Sequence, residues 1–282
     1  MMEYFIDVGL RLHLLEWPGP KTPFVLLHGL SSNCRTWESV AGYLTAAGHR
    51  VVAVDLRGHG LSDKPVDGYD FAAFTGDLAR LFSRLQLERS IVVGQSWGGN
   101  VALEFGVCFP HLAGGLGFVD GGFIDHQARP LATWETISTL LRPPDLDGRP
   151  RAILKEQLRA DHPDWSDEGL EATLGNFETL ADGTIRRWLD VSHHMQILRA
   201  LWEQRPLRLY PRVTQPVLIC PAESGGPWLE IKRRQVAAAQ KNLSRVEIHW
   251  FPATDHDIHV HRPAALADLF LRSVEEGIWR SH

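Results

Sequence analysis

The chain has 282 residues, which allows one large domain or two small ones. Hydrophobic residues make up 44% and charged residues 22%, so the composition is that of a folded globular protein and not of a disordered, collagen-like or coiled-coil chain. Twenty-nine basic against 34 acidic residues give a formal net charge of −5 without a basic block, which argues against a nucleic-acid partner.

Strands alternate with helices in the first part of the chain. Apolar patterning predicts strands at residues 3–8, 11–16, 23–27, 50–55, 91–93 and 116–119. Helical spacing predicts helices at residues 36–47, 71–87 and 100–109. The first two strands form a predicted hairpin at Gly9, and the later alternation implies a parallel sheet covered by helices on both faces.

The alternation is interrupted once. Residues 123–208 have a helical pattern punctuated by prolines, and the alternation resumes with predicted strands at 216–220 and 246–251 and helices at 229–242 and 262–276. We therefore predict one α/β core domain, formed by residues 1–122 and 209–279, with a helical cap or lid inserted at residues 123–208.

The remaining composition suggests a cytoplasmic protein. Cys34, Cys108 and Cys220 are far apart among apolar neighbours, which favours buried thiols in a reducing compartment over disulfides or a thiolate metal site. Charged residues interrupt the N-terminal apolar residues, and no run approaches the roughly 18 apolar residues of a spanning helix. Residues 280–282 are interpreted as a tag remnant.

The most informative motif is Gly94-Gln95-Ser96-Trp97-Gly98, between a predicted strand and a predicted helix. A Gly-x-Ser-x-Gly sequence in this context forms a sharp turn that presents the serine hydroxyl at the C-terminal edge of the sheet. The two glycines are needed because the tight turn leaves no room for side chains. Ser96 is therefore a candidate nucleophile.

Together with three further segments, this turn resembles the α/β-hydrolase family over nearly the whole chain. The matching segments are His28-Gly29-Leu30, Asp55-Leu56-Arg57-Gly58-His59-Gly60-Leu61-Ser62 and Asp255-His256-Asp257-Ile258-His259-Val260-His261-Arg262-Pro263. The resemblance implies the α/β-hydrolase fold, which has a mostly parallel central sheet with helices on both faces and an inserted helical cap.

The resemblance also implies a base for Ser96. A serine hydroxyl is a poor nucleophile unless a base accepts its proton. His256 follows the predicted strand 246–251 and precedes Pro263 by seven residues, as the family's histidine does. A metal cluster of the histidines and aspartates at 255–261 is an alternative, disfavoured because no distant thiolate or carboxylate motif completes it.

The acid departs from the commonest family pattern. Most relatives carry an aspartate in the loop after the strand that here is 216–220, but Gly225 occupies that position. Some members take the acid from the end of the preceding strand, where this chain has Asp120 followed by two glycines. Asp120 is therefore the predicted acid, and Glu223 is the alternative.

Two further groups of residues complete the predicted site. By resemblance, the backbone N–H groups of Leu30 and Trp97 form the oxyanion hole. Substrate specificity is expected to come from the cap, because the sheet loops supply only the general machinery. The predicted pocket residues, each of which is alternatively part of the cap's own core, are Trp134, Ile137, Leu141, Trp188 and Met195.

These residues predict a serine hydrolase of the carboxylesterase type, which cleaves small to medium, largely apolar esters through an acyl-enzyme. Serine at the turn argues against haloalkane dehalogenases and epoxide hydrolases, whose covalent intermediate needs an aspartate there. A thioesterase, lactonase, carbon–carbon hydrolase or proline iminopeptidase on the same triad, and a binding protein with little turnover, are the alternatives. We expect a small-molecule ester as partner, no membrane or nucleic-acid partner, and no metal or other cofactor.

Overall fold

The computed structural model describes residues 1–226 and 228–279, so the predicted tag remnant at 280–282 lies outside the described residues. The strands are β1 (Met2–Asp7), β2 (Arg11–Trp17), β3 (Lys21–Leu27), β4 (His49–Val54), β5 (Ser90–Gln95), β6 (Ala113–Val119), β7 (Phe177–Thr179), β8 (Ile185–Arg187), β9 (Val217–Cys220), β10 (Ala222–Glu223), β11 (Val246–Ile248) and β12 (Phe251–Pro252). The helices are α1 (Glu38–Ala46), α2 (Phe71–Leu85), α3 (Trp97–Cys108), α4 (Trp134–Leu140), α5 (Arg151–Asp161), α6 (Asp167–Leu174), α7 (Val191–Glu203), α8 (Pro206–Leu209), α9 (Leu229–Asn242), α10 (Ile258–His261) and α11 (Pro263–Glu275).

Eight strands form the central sheet in the order β1-β2-β4-β3-β5-β6-β9-β11. Strand β2 is antiparallel to β1 and β4, and the other neighbours are parallel. The chain adds β4 on one side of β3 and then β5 on the other. Such a switch opens a crevice at the C-terminal ends of the strands, where ligands bind in sheets of this kind.

The sheet is buried on both faces. In β3, Val25 and Leu27 contact the apolar cluster that contains α2, α3 and α9, whereas Phe24 and Leu26 contact the cluster that contains α1 and α11. Successive side chains of a strand point to opposite faces, so a continuous apolar strand can serve two helical layers. The predicted mostly parallel sheet with helices on both faces is confirmed.

Along the chain, helices α4 to α7 and the hairpin of β7 and β8 lie between β6 and β9, the next strand of the central sheet. Leu154, Leu174 and Ile185 form a separate small cluster in this segment, while Ile197 and Leu201 of α7 join the main core. The sequence pattern missed the hairpin because three-residue strands are too short to produce a recognisable alternation. The division into core and cap stays a prediction, and its boundary at 208/209 falls inside α8.

Two other expectations need correction. The predicted strand 246–251 is divided into β11, which pairs with β9, and β12, which pairs with β10 outside the central sheet. Cys108 is exposed, unlike the buried Cys34 and Cys220, because it lies in the last turn of α3. All three cysteines are free thiols.

No helix within residues 1–226 and 228–279 combines the length and the apolar character needed to cross a membrane.

Candidate active site

Ser96 lies at the turn between β5 and α3. Its backbone has φ 52° and ψ −124°, a conformation that L-residues rarely adopt. A Cβ at Gly94 would lie 2.0 Å from the carbonyl oxygen of Gly98, and a Cβ at Gly98 would lie 2.4 Å from that of His28. The turn therefore requires both glycines, and it begins α3 three residues earlier than the pattern predicted.

Asp120 follows β6 directly, as the sequence predicted, and its side chain is 1% exposed. Its Oδ2 accepts a hydrogen bond of 2.6 Å from Nδ1 of His256, and its Oδ1 accepts one of 3.0 Å from the backbone N–H of Ala222. Since a carboxylate can only accept, Nδ1 of His256 carries the proton and Nε2 is left as the acceptor. The His256 side chain is 52% exposed and lines the same cavity as Ser96.

The pair of Asp120 and His256 is electrostatically coupled. Burial raises the pKa of Asp120, but the hydrogen bond and charge of His256 and the charge of Lys232 outweigh it and hold that pKa below its usual value. Partial loss of solvation within the cavity lowers the pKa of His256, but the hydrogen bond and charge of Asp120 outweigh it, so the net shift is upward. An orienting carboxylate of this kind stabilises the imidazolium that forms when the histidine accepts a proton.

Lys232 is a residue of this site that the sequence analysis missed. Its Nζ lies 2.7 Å from Oδ2 of Asp120 and donates a 2.8 Å hydrogen bond to the carbonyl oxygen of Ala222. Lys232 belongs to α9, whose only sequence signal was helical spacing. The contact depends on how α9 packs against the sheet edge, so no local motif announces it.

The structure brings His256 to Asp120 and not to Glu223. The Glu223 carboxylate instead forms an ion pair with Arg233 of α9. Glu223 also lies in β10, which pairs with β12 beside the central sheet. The alternative acid is therefore engaged elsewhere.

The two predicted oxyanion donors lie beside Ser96. Leu30 and Trp97 both line the cavity that contains Ser96. Among the described residues, neither backbone N–H has a hydrogen-bond acceptor. Free N–H groups next to a nucleophile can stabilise a tetrahedral oxyanion. The Trp97 indole is buried and packs edge-on against Phe74, with ring centres 4.7 Å apart.

His194 links the loop that carries Leu30 to the helical segment above it. Its Nε2 hydrogen-bonds the carbonyl oxygen of Leu141 at 3.0 Å, and its Nδ1 lies 2.8 Å from the hydroxyl of Ser31. A carbonyl can only accept, so Nε2 carries the proton and Nδ1 accepts from Ser31. Burial lowers the pKa of His194, which keeps this neutral form populated. These two hydrogen bonds hold Ser31, the residue that follows Leu30, in position.

The histidines considered as an alternative metal cluster do not converge. His256 bonds to Asp120, and Nδ1 of His261 accepts a 3.0 Å hydrogen bond from the backbone N–H of Asp255. His259 is buried, and neither of its ring nitrogens has a partner among the described residues. The three histidines therefore have different neighbours and do not face one common point.

A different trio, His13, Cys34 and Asp55, brings three ligand-type atoms within 4.8 Å of one another. Asp55 already accepts from Nδ1 of His13 at 2.8 Å and from the backbone N–H of Cys34 at 2.7 Å. Burial and then the charge of Asp55 raise the pKa of the Cys34 thiol well above its usual value. The trio is therefore held together by hydrogen bonds to the Asp55 carboxylate.

The main cavity beside Ser96 has a volume of about 680 Å³. Of the predicted pocket residues, Leu141 lines it. Its walls, as far as the chain is described, do not include Trp134, Ile137, Trp188 or Met195, and this part of the prediction is corrected. Helical spacing identifies an apolar face but not what that face contacts: Trp134 packs near Trp202, Trp188 lies beneath Lys64, and Ile137 is buried.

Parts of the chain are similar in sequence to known proteins. An uncharacterized protein of Mycobacterium tuberculosis is 41% identical over 104 residues, which are 37% of this chain and 30% of that protein. A haloalkane dehalogenase of Psychrobacter cryohalolentis is 39% identical over 101 residues, 35% of this chain and 33% of the dehalogenase. The alignments thus span about a third of the length of the curated relatives.

Similarity of fold extends much further than similarity of sequence. The crystal structure of E-2-(acetamidomethylene)succinate hydrolase superposes with a TM-score of 0.80 at 22% identity and covers 97% of this chain and 99% of its own. At this identity, the likeness concerns the fold alone. The model of the alpha/beta hydrolase family matches residues 24–269. The elbow at Ser96, the switch-point crevice and this match together identify the chain as a member of the alpha/beta hydrolase family.

Proposed function

We propose that this protein is a serine hydrolase that cleaves small to medium, largely apolar carboxylic esters through an acyl-enzyme. Ser96 attacks the ester carbonyl, and Nε2 of His256 accepts its proton and then returns it to the leaving alcohol. Asp120 orients His256, and the N–H groups of Leu30 and Trp97 stabilise the oxyanion.

The observation that carries this proposal is the 2.6 Å hydrogen bond between His256 and Asp120 at the cavity that exposes Ser96. The order nucleophile, acid, base along the chain is that of α/β-hydrolases. A serine at the elbow supports an acyl-enzyme route, since the aspartate that dehalogenation requires is absent from position 96. The largely apolar cavity supports a substrate with apolar groups.

The walls of the main cavity contain few acidic side chains, which favours an ester substrate over a peptide with a free amino group. Among the described residues that line the main cavity, Asp120 is the only carboxylate, and it is already bonded to His256 and Lys232. Recognition of a free ammonium group needs an unpaired acid. The cavity therefore gives no support to the proline iminopeptidase alternative.

Hydrolysis of 4-nitrophenyl acetate and butyrate tests the proposal. We expect turnover by the unaltered protein and a loss of about three orders of magnitude or more in Ser96→Ala. Labelling with a fluorophosphonate, followed by mass spectrometry of the peptide that contains Ser96, checks the nucleophile directly. Equal turnover by both proteins, together with absence of the label, would contradict the assignment.

A further inference from the structure

Arg129, on the wall of the main cavity, has no acidic partner among the described residues. The guanidinium carbon of Arg129 lies 4.4 Å from the centre of the Trp228 ring. Its Nε is buried and makes no hydrogen bond to a described residue. Burial lowers its pKa, and no neighbouring acid opposes this effect. A buried donor of a charged group that lacks an acceptor is costly unless a ligand supplies one.

His126 adds a second orphaned polar atom on the same wall. It is buried, and its Nδ1 has no partner within the described ranges. Burial and then the charge of Arg129 lower its pKa to about 4, so the ring is neutral near pH 7. The two residues flank one short turn, whose hydrogen bond runs from the N–H of Arg129 to the carbonyl of His126. A neutral imidazole offers one N–H donor beside the guanidinium.

The charges around the cavity are unbalanced. Its charged side chains, among the described residues, are those of Arg129, Arg142, Lys232 and Asp120. Lys232 and Asp120 form an ion pair with each other. Arg129 and Arg142 remain, and no ion pair to a described acid engages either of them. The wall therefore presents excess positive charge to an otherwise largely apolar space.

We propose that Arg129, with His126 beside it, forms a carboxylate-binding subsite, so that the ester cleaved at Ser96 carries a free carboxylate at the end of an apolar chain. The planar guanidinium fork matches a carboxylate with two parallel hydrogen bonds, and its contact with the Trp228 ring restricts its movement in advance. Phe123, Leu198 and Leu201 line the same cavity and suit the apolar chain. This inference rests on the proposed ester hydrolysis and names its substrate class.

Matched esters test the subsite. The ethyl half-esters of succinate, glutarate and adipate are compared with ethyl butanoate, pentanoate and hexanoate, whose acyl chains have the same lengths, and acid release is followed in a pH-stat. We expect kcat/KM for at least one half-ester to exceed that of its neutral partner by about tenfold or more. A preference for the neutral ester in every pair overturns the proposal.

Substitutions of Arg129 then test whether this residue causes the preference for half-esters. In Arg129→Met, which keeps an unbranched side chain over Trp228 but removes the charge, we expect the ratio of kcat/KM for half-ester to neutral ester to fall by about 10- to 100-fold. Arg129→Lys, with charge but no fork, should give an intermediate ratio. Arg84 is exposed and does not line the cavity, so Arg84→Met should leave the ratio unchanged. An unchanged ratio in Arg129→Met overturns the proposal.

A binding measurement separates this subsite from the hydrolytic activity itself. Calorimetric titration of the Ser96→Ala protein with monoethyl adipate should show binding that Arg129→Met weakens by about tenfold or more. If the unaltered protein cleaves neither ester class yet this binding is present, the proposed function fails and the subsite stands. If neutral esters are cleaved but Arg129→Met does not alter half-ester binding, the subsite fails and the proposed function stands.

Discussion

The Nζ of Lys232 lies 2.7 Å from Oδ2 of Asp120, the same oxygen that accepts the hydrogen bond from His256. One buried carboxylate oxygen thus contacts two basic side chains. The charge of Lys232 lowers the pKa of His256, and the charge of Asp257 raises it. Lys232 therefore adjusts the pH range in which His256 is a free base.

Removing this charge should move the acid limb of activity. His256 has a raised pKa and must be neutral to accept a proton, so kcat/KM falls as the pH drops through that raised value, above the usual 6.5. In Lys232→Met the pKa of His256 rises further, and we expect the acid limb to move to higher pH. The pH dependence of kcat/KM for 4-nitrophenyl butyrate measures this.

Arg233 supplies the control for this shift. It is the next residue of α9 and carries the same charge, but its side chain pairs with Glu223 and is 53% exposed. Arg233→Met should leave the acid limb in place. An acid limb that stays fixed in Lys232→Met, or that moves to lower pH, would contradict the role assigned to Lys232.

Asp120 and Glu223 are distinguished by amide substitutions. Asp120→Asn removes the acceptor that holds the His256 tautomer, and we expect kcat to fall by about three to four orders of magnitude. Glu223→Gln disturbs only an ion pair with Arg233 that is partly exposed, so we expect kcat to change less than about threefold. Single-substrate kinetics on both variants provide the comparison, and the reverse result would make Glu223 the acid.

His194 should affect the chemical step because it holds the loop that carries Leu30, a proposed oxyanion donor. In His194→Phe the ring remains but both hydrogen bonds, to Ser31 and Leu141, are lost. We expect kcat to fall by about tenfold, because a donor at Leu30 that is displaced by a fraction of an ångström stabilises the oxyanion poorly. His193→Phe is the matched control, since His193 stacks on Tyr69 and phenylalanine preserves the stacking. Equal decreases of kcat in the two variants would argue against a role of His194 in positioning the Leu30 N–H.

The elbow should tolerate no side chain at Gly98. A Cβ there would lie 2.4 Å from the carbonyl oxygen of His28, so we expect Gly98→Ala to lower the free energy of unfolding by about 1–3 kcal/mol. A Cβ at Gly42, inside α1, would meet nothing within 4 Å. Gly42→Ala should therefore raise the free energy of unfolding by about 0.5–1 kcal/mol. Urea denaturation measures both changes, and a loss of stability in Gly42→Ala would contradict this reading of α1.

Sequence patterns predicted the elements whose information is local. The alternation of apolar runs and amphipathic helices gave the parallel sheet and its two helical layers, because burial on both faces leaves a continuous apolar strand. The Gly-x-Ser-x-Gly turn located Ser96, since a Cβ at Gly94 or Gly98 would lie 2.0 Å or 2.4 Å from a backbone carbonyl oxygen and only glycine avoids this clash. The order of motifs also placed Asp120 directly after β6, where its contact with His256 is observed.

Contacts between distant elements were decided by tertiary packing. Lys232 and Asp120 are 112 residues apart, and His194 and Ser31 are 163 apart. Helical periodicity within residues 123–208 could not show which apolar residues face the main cavity, because it identifies an apolar face but not the element that packs against it. The sequence by itself determined the fold and the position of Ser96 at the sharp turn after β5, through local backbone geometry and burial. Only the tertiary structure decided which charges surround Asp120 and which described charges on the cavity wall lack an acidic partner, because those contacts depend on the packing of α9 and of residues 123–208.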